Sequence, residues 1–208
     1  MRNASAEGTQ RGRPRDPAAD LAILDAAVRL LVRAGYASMS MEGVAAEAGV
    51  GKATVYRRYR DKADLATAAI ANLKDQDGPP AETGDARADL VEHLRAFQRR
   101  MESLSAIGEL AAPGMHMIGT LLVEEDHNPE LIRLFRERVI APPASAARAR
   151  LEGARGRGEI RPDADLALVQ EMLIGSYYAR YLKQGRAPGP EWPEAAVAAV
   201  WPALVPPG

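Results

Sequence analysis

Residues 39–65 read MSMEGVAAEAGVGKATVYRRYRDKADL, and their reading decides the fold. From Met41 to Tyr59 the run is a short helix, the turn Ala48-Gly49-Val50-Gly51 and a second short helix. A helix-turn-helix needs a small residue where its second helix crosses the first, a glycine able to turn left-handed, and apolar residues pinning the pair. Ala45 supplies the first, Gly49 the second, and Val44, Val50 and Val55 the third. Ser40 suits the cap of the first of these helices, and the second spans Lys52 to Tyr59. Asp61 suits the cap of a following helix with the stripe Leu65, Ala69, Ile70, Leu73. Two unrelated short helices in a bundle would give the same pattern.

Upstream, Leu21, Leu24, Val28, Leu31 and Val32 recur at spacings of three and four, with Pro17 and Asp20 at the expected helix start and Gly35 at its stop. Residues 1–17 carry Gly, Ser, Pro and spaced arginines without apolar periodicity and read as a disordered basic arm. Residues 18–76 then form the helix-turn-helix domain. The Gly/Pro-rich stretch 77–84 is the boundary, and residues 85–208 form a larger helical domain. In that domain Leu90, Leu94, Phe97, Met101 and Leu104 make one stripe, with an irregular helical region at 108–125 interrupted at Pro113-Gly114. A helix after Asn128-Pro129 is disturbed at Pro142-Pro143, an apolar one runs from Leu166 through Tyr181 to Gly185, and a last one runs from Pro193 to Leu204. No alternating strand pattern interrupts them, so the fold class is all-α.

The composition agrees: 47% apolar residues and only 5% aromatics leave Ala, Leu, Val, Ile and Met to build the core, which favours helices. With no cysteine, disulfides, thiolate nucleophiles and cysteine-ligated metals are excluded. No apolar run approaches the roughly 18 residues of a membrane span, and a cytoplasmic location is expected. The net charge of −1 is unevenly spread, residues 1–75 being net +3 and the rest net −4. Residues 51–62 alone are net +4, from Lys52, Arg57, Arg58, Arg60 and Lys62 against Asp61.

The quoted run closely resembles the DNA-binding signature of the TetR family of bacterial regulators, in helix-turn-helix spacing, in the Thr54-x-Tyr56 of the second helix and in the aromatic-x-x-Lys exit at Tyr59 and Lys62. Gly51, Ala53 and Arg57-Arg58-Tyr59 depart from its commonest form. Residues 128–137 and 158–165 also look like the helical regulatory domain of a subgroup. The resemblance implies that Ser40, Thr54, Tyr56 and Lys62 clamp the DNA backbone, while Lys52, Ala53 and Arg57 lie nearer the bases. On chemistry alone, Lys52, Thr54 and Tyr56 offer a cation and two hydroxyls, Arg57 and Arg58 can bridge to guanine or phosphate, and Ala53 can touch a thymine methyl. Arg13 and Arg15 of the arm can enter a minor groove or serve only as a soluble tail. Tyr59 belongs to the core.

The resemblance further implies a homodimer on a palindromic operator, repression, and release by a small molecule bound in the second domain. Candidate lining residues are Phe97, Met101, Met115, His116, Met117, Phe135, Tyr177 and Tyr178. The final two helices are the most apolar, so Leu166, Val169, Leu173, Tyr177, Val197, Val200 and Trp201 are the expected dimer contacts. A constitutive architectural DNA binder and a helical enzyme are the alternatives. His93, His116 and His127 are too scattered for a metal motif, the acidic run at 124–127 reads as a solvated patch, and residues 153–158 lack the Lys-Ser/Thr of a phosphate loop. No catalytic constellation, metal or cofactor is expected.

Overall fold

Asp16 starts the first helix by accepting a hydrogen bond from the Ala18 amide at 3.0 Å, one residue before Pro17, whose fixed φ suits a first helical turn. Asp20, expected at that start, lies in the first turn. The computed structural model describes residues 16–73, 82–103 and 113–206, so most of the basic arm and of the Gly/Pro-rich boundary lies outside the described residues. All regular structure among the described residues is helical.

Helix α1, Pro17–Ser38, is interrupted where expected: Gly35 takes φ 75°, and one further turn follows it. α2, Met41–Glu47, is capped by Ser40 Oγ, which accepts from the Gly43 amide at 3.0 Å. α2 ends in paired reverse bonds: Val50 donates to the Ala45 carbonyl at 3.0 Å and Gly49 to Ala46 at 3.2 Å, with Gly49 at φ 66°. This is the Schellman arrangement, and it needs a residue tolerant of positive φ at Gly49. α3, Lys52–Arg58, follows directly, and α4, Lys62–Asn72, is capped by Asp61 as read from the sequence.

Beyond the boundary come α5, Ala86–Ser103; α6, Pro113–Val123; α7, Pro129–Phe135; α8, Ala141–Gly156; α9, Leu166–Gln184; and α10, Trp192–Val200. The disturbance expected at Pro142-Pro143 is a π-helical turn, Arg136–Ile140, that joins α7 to α8. Two successive residues without amide hydrogens cannot continue the ladder, and widening the preceding turn absorbs the mismatch. The last helix is shorter than its apolar pattern. α10 stops at Val200 and Trp201–Ala203 form a 3₁₀ turn, because Pro202 has no amide to donate.

Two apolar cores result. The first holds α1–α4 together with Met117 and Leu121 of α6 and Leu131, Ile132, Leu134 and Phe135 of α7. The second packs α5, α8, α9 and α10 around Trp192 and Tyr177, whose rings meet edge to face at 5.0 Å. Trp192 donates its indole N–H to Ser176 Oγ at 2.9 Å, which satisfies the polar atom of a fully buried side chain.

Candidate nucleic-acid interface and interior cavity

Val55 is fully buried against Val44 and Ala45, so α3 lies across α2 with one face inward. Helical geometry then turns Lys52, Ala53, Tyr56 and Arg57 outward, and all four are exposed, with Thr54 half-buried. Tyr56 is 51% exposed and donates its hydroxyl to Glu42 Oε1 at 2.8 Å, which holds the ring upright between α2 and α3. The acceptor bond draws the Glu42 carboxyl below its usual range and raises the Tyr56 phenol. Ser40 is exposed beside this surface, its hydroxyl engaged as the α2 cap.

Two of the residues expected at DNA have partners within the chain. Arg58 lies three residues after Val55 and therefore on the inward face; its guanidinium pairs with Asp20 of α1 and its side chain is 11% exposed. Lys62 was expected to face phosphate from the start of α4. Its ammonium instead donates to the Tyr36 and Ala37 carbonyls at 2.9 and 3.3 Å and sits 4.2 Å from the centre of the Tyr36 ring. Carbonyls at a helix end lack intrahelical partners and carry the negative end of the dipole, which explains the attraction. Tyr59 is half-buried against the first core, as expected. Arg13 and Arg15 lie outside the described residues.

A cavity of about 160 Å³ opens between α4, α5, α6, α7, α8 and α9. Of the expected lining residues, Phe97, Met101, Met117, Phe135 and Tyr178 border it. The other three do not. His116 is exposed, Met115 packs on the second core, and Tyr177 is buried between Phe97 and Trp192. Polar groups that residue-type reasoning passed over also reach it: His93 and Arg100 from α5, and Gln170 from α9. The signal was available, since 93, 97 and 100 fall at i, i+4 and i+7 on one helix face. Burial and the neighbouring Arg100 and Arg150 depress His93 to about 4, and burial also lowers Arg100.

A family model described as bacterial regulatory proteins, tetR family, matches residues 23–69, and one described as tetracyclin repressor-like, C-terminal domain, matches residues 80–200. The chain belongs to the TetR family of transcriptional regulators. It is 31% identical over 155 residues to the DNA-binding transcriptional repressor TetR of Mycobacteroides abscessus, covering 73% of this chain and 75% of that protein. The uncharacterised regulator YdeS of Bacillus subtilis is 29% identical over 85% of each chain. The solved structure of the TetR-family regulator SCO0332 superposes with a TM-score of 0.64 at 29% identity, covering 90% of this chain and 99% of that one. The protein is thus a DNA-binding transcriptional regulator of a family that is not enzymatic. Among the described residues of this TetR-family chain, no helix is long and apolar enough to cross a membrane.

The residues expected at a dimer interface of this TetR-family protein lie mostly in the core of one protomer. Leu166, Val169, Leu173, Tyr177 and Val197 are buried in the second core of a single protomer, and Val200 and Trp201 pack on the same core. Their apolar character is spent inside the chain because α5 and α8 cover them, which the sequence pattern does not reveal. The opposite face of α9 is where apolar surface remains: Leu168, Met172 and Leu182 are 51%, 53% and 78% exposed. Exposed Gly175 and Ala179 complete that stripe at steps of four and three.

Proposed function

We propose that this protein is a repressor that binds a palindromic operator as a homodimer and leaves it when a small molecule enters the interior cavity, acting in the cytoplasm. The observation that supports this reading is the double role of α4. Its first turn, through Lys62, is fastened to the end of α1, and Ile70 of its last turn, with Leu73 just beyond its end, forms part of the cavity wall. A molecule that displaces Ile70 or Leu73 moves α4 against α1, the helix on which α2 of the DNA-reading pair rests. An architectural DNA binder would have no use for such a cavity.

For base recognition the reading assigns Lys52, Ala53 and Arg57, and for the phosphate backbone Ser40, Thr54 and Tyr56. Arg13 and Arg15 stay assigned to an adjacent minor groove. The dimer face is assigned to the exposed stripe of α9 with the neighbouring small residues of α8, which Gln170 ties to α9 by donating to the Ala144 carbonyl at 3.0 Å. Small residues let helices approach closely, and a two-fold pairing sets two heads on half-sites about 34–36 Å apart or further.

The test is selection of bound duplexes from a random pool, followed by binding of the recovered site with metabolite extracts and fractions. A palindromic site lost on adding one small-molecule fraction is the expected result. Recovery of DNA without a shared sequence would overturn the specific-regulator reading in favour of the architectural one.

A further inference from the structure

Among the described residues the cavity wall is apolar almost throughout, yet it contains one guanidinium. Arg100 projects from α5 with no carboxylate partner and no hydrogen-bond acceptor for its side chain among the described residues. Most other arginines of the fold are paired, among them Arg95 with Glu92 and Glu194, Arg133 with Glu130 and Glu137, and Arg157 with Glu159. A partly buried cation facing an apolar cavity without a counter-charge loses hydration and recovers little. Such an arrangement is favourable only when an anion arrives with the ligand.

The neighbouring groups sharpen the chemistry. His93 lies two helical turns before Arg100 on the same face and, neutral, can donate to or accept from the ligand. Tyr178 of α9 stands across from α5, its ring 6.1 Å from that of Phe97, and no bond to its hydroxyl is present among the described residues. Among aliphatic side chains the same wall carries aromatic rings and thioethers, Phe97, Phe135, Met101 and Met117, which suit a flat, polarisable ligand. A planar guanidinium matches a planar carboxylate through two parallel bonds.

Building on the effector reading above, we propose that the cavity takes an aromatic carboxylic acid, its carboxylate on Arg100 and within reach of His93 and Tyr178, and its rings between Phe97, Phe135 and the two methionines. The acid enters as the anion, so Arg100 supplies both affinity and selection against neutral aromatics of the same shape.

The experiment titrates the full-length protein with 2-naphthoate, 2-naphthamide and decanoate by calorimetry, in the wild type and in Arg100→Met and Arg100→Lys. The wild type is expected to bind naphthoate roughly ten- to a hundredfold more tightly than the amide, as a charge-assisted bond implies. Arg100→Met abolishes that preference and Arg100→Lys keeps part of it. Arg100→Met without ligand is expected to melt above the wild type, since it removes an unpaired cation, and this readout also shows that the variant is folded. Equal binding of acid and amide, an unchanged preference in Arg100→Met, tighter binding of decanoate than of naphthoate, or no binding of naphthoate overturns the proposal.

Operator binding separates this inference from the reading beneath it. If the neutral amide releases DNA as well as the acid does, the anion site falls and the effector reading stands. If naphthoate binds with the stated dependence on Arg100 and saturation leaves DNA binding untouched, the effector reading falls and the anion site stands.

Discussion

Arg57 and Arg58 are adjacent in sequence and have opposite surroundings. Arg57 is exposed beside Ala53 and Tyr56, whereas Arg58 is turned onto Asp20. Arg57→Ala is expected to cost about 1–3 kcal/mol on the specific site and little on random DNA. Arg58→Ala is expected to cost about 1–3 kcal/mol of folding stability by leaving Asp20 without its partner. Urea denaturation beside DNA titration distinguishes the two, and a stable Arg58→Ala protein with lost DNA affinity would show that Arg58 reaches DNA after all. His93 gives a second residue-level expectation. Its folded-state value of about 4 lies below that of a free imidazole, about 6.5. Between these values the unfolded chain binds a proton that the folded one does not, so the His93 contribution is intact above about pH 6.5 and declines as pH falls towards 4. The melting temperature of His93→Gln should therefore fall less steeply over that window than the wild type's; parallel curves would contradict the assignment.

At the scale of the element, α9 has two apolar faces that differ in what covers them. Leu166, at 0% exposure, faces the protomer's own core, while Met172 stands on the outward stripe. Met172→Glu is expected to keep the helical signal and the melting temperature within a few degrees, yet to sediment as a monomer and lose more than about tenfold in operator affinity, because a single head keeps half the contacts. Leu166→Glu is expected to lose several kcal/mol of stability, since it buries a carboxylate without a partner. Dimers of unchanged strength in Met172→Glu would move the interface elsewhere. The π-helical turn Arg136–Ile140 carries a different lesson: Val139 and Ile140 line the cavity, so the two prolines that widen the helix also shape the cavity wall.

Across the whole molecule, polar links tie α4 and its entry turn to α7 and the π-helical turn. Arg138 donates to Asp64 Oδ1 at 2.7 Å and approaches Thr67 Oγ1 at 3.3 Å, and Arg60 reaches Glu130 at 3.3 Å. They run beside the shared core through which Phe135, itself a cavity residue, touches the helices of the DNA-reading head. Exposed pairs of this kind contribute little to stability, but they restrict how α4 slides on α7. Arg138→Met is expected to leave unliganded DNA affinity within about twofold and to reduce the ligand-induced loss of that affinity by several-fold, in line with typical coupling changes of about 0.5–2 kcal/mol. Operator titrations with and without saturating ligand measure that ratio, and an unchanged ratio would rule out Arg138 as part of the link.

Local rules were enough to place the helix-turn-helix. Ser40 and Asp61 can cap, Gly49 can turn left-handed, and Val55 must be covered; each of these is a property of a residue and its near neighbours in the chain, and each appears in the structure as read. What periodicity cannot state is which apolar face meets which neighbour. Leu166 and Leu173 read as candidates for a partner chain until α5 and α8 are folded over them, and Leu168 and Met172 acquire their exposure only then. The same holds for charge: Lys62 could serve a phosphate from its place in the sequence, but the end of α1, brought back by the break at Gly35, supplies carbonyls first. Arg100 is one arginine among many until the fold surrounds it with apolar walls and gives it no carboxylate among the described residues. Burial and pairing depend on residues distant in the chain, so only the tertiary structure decided them.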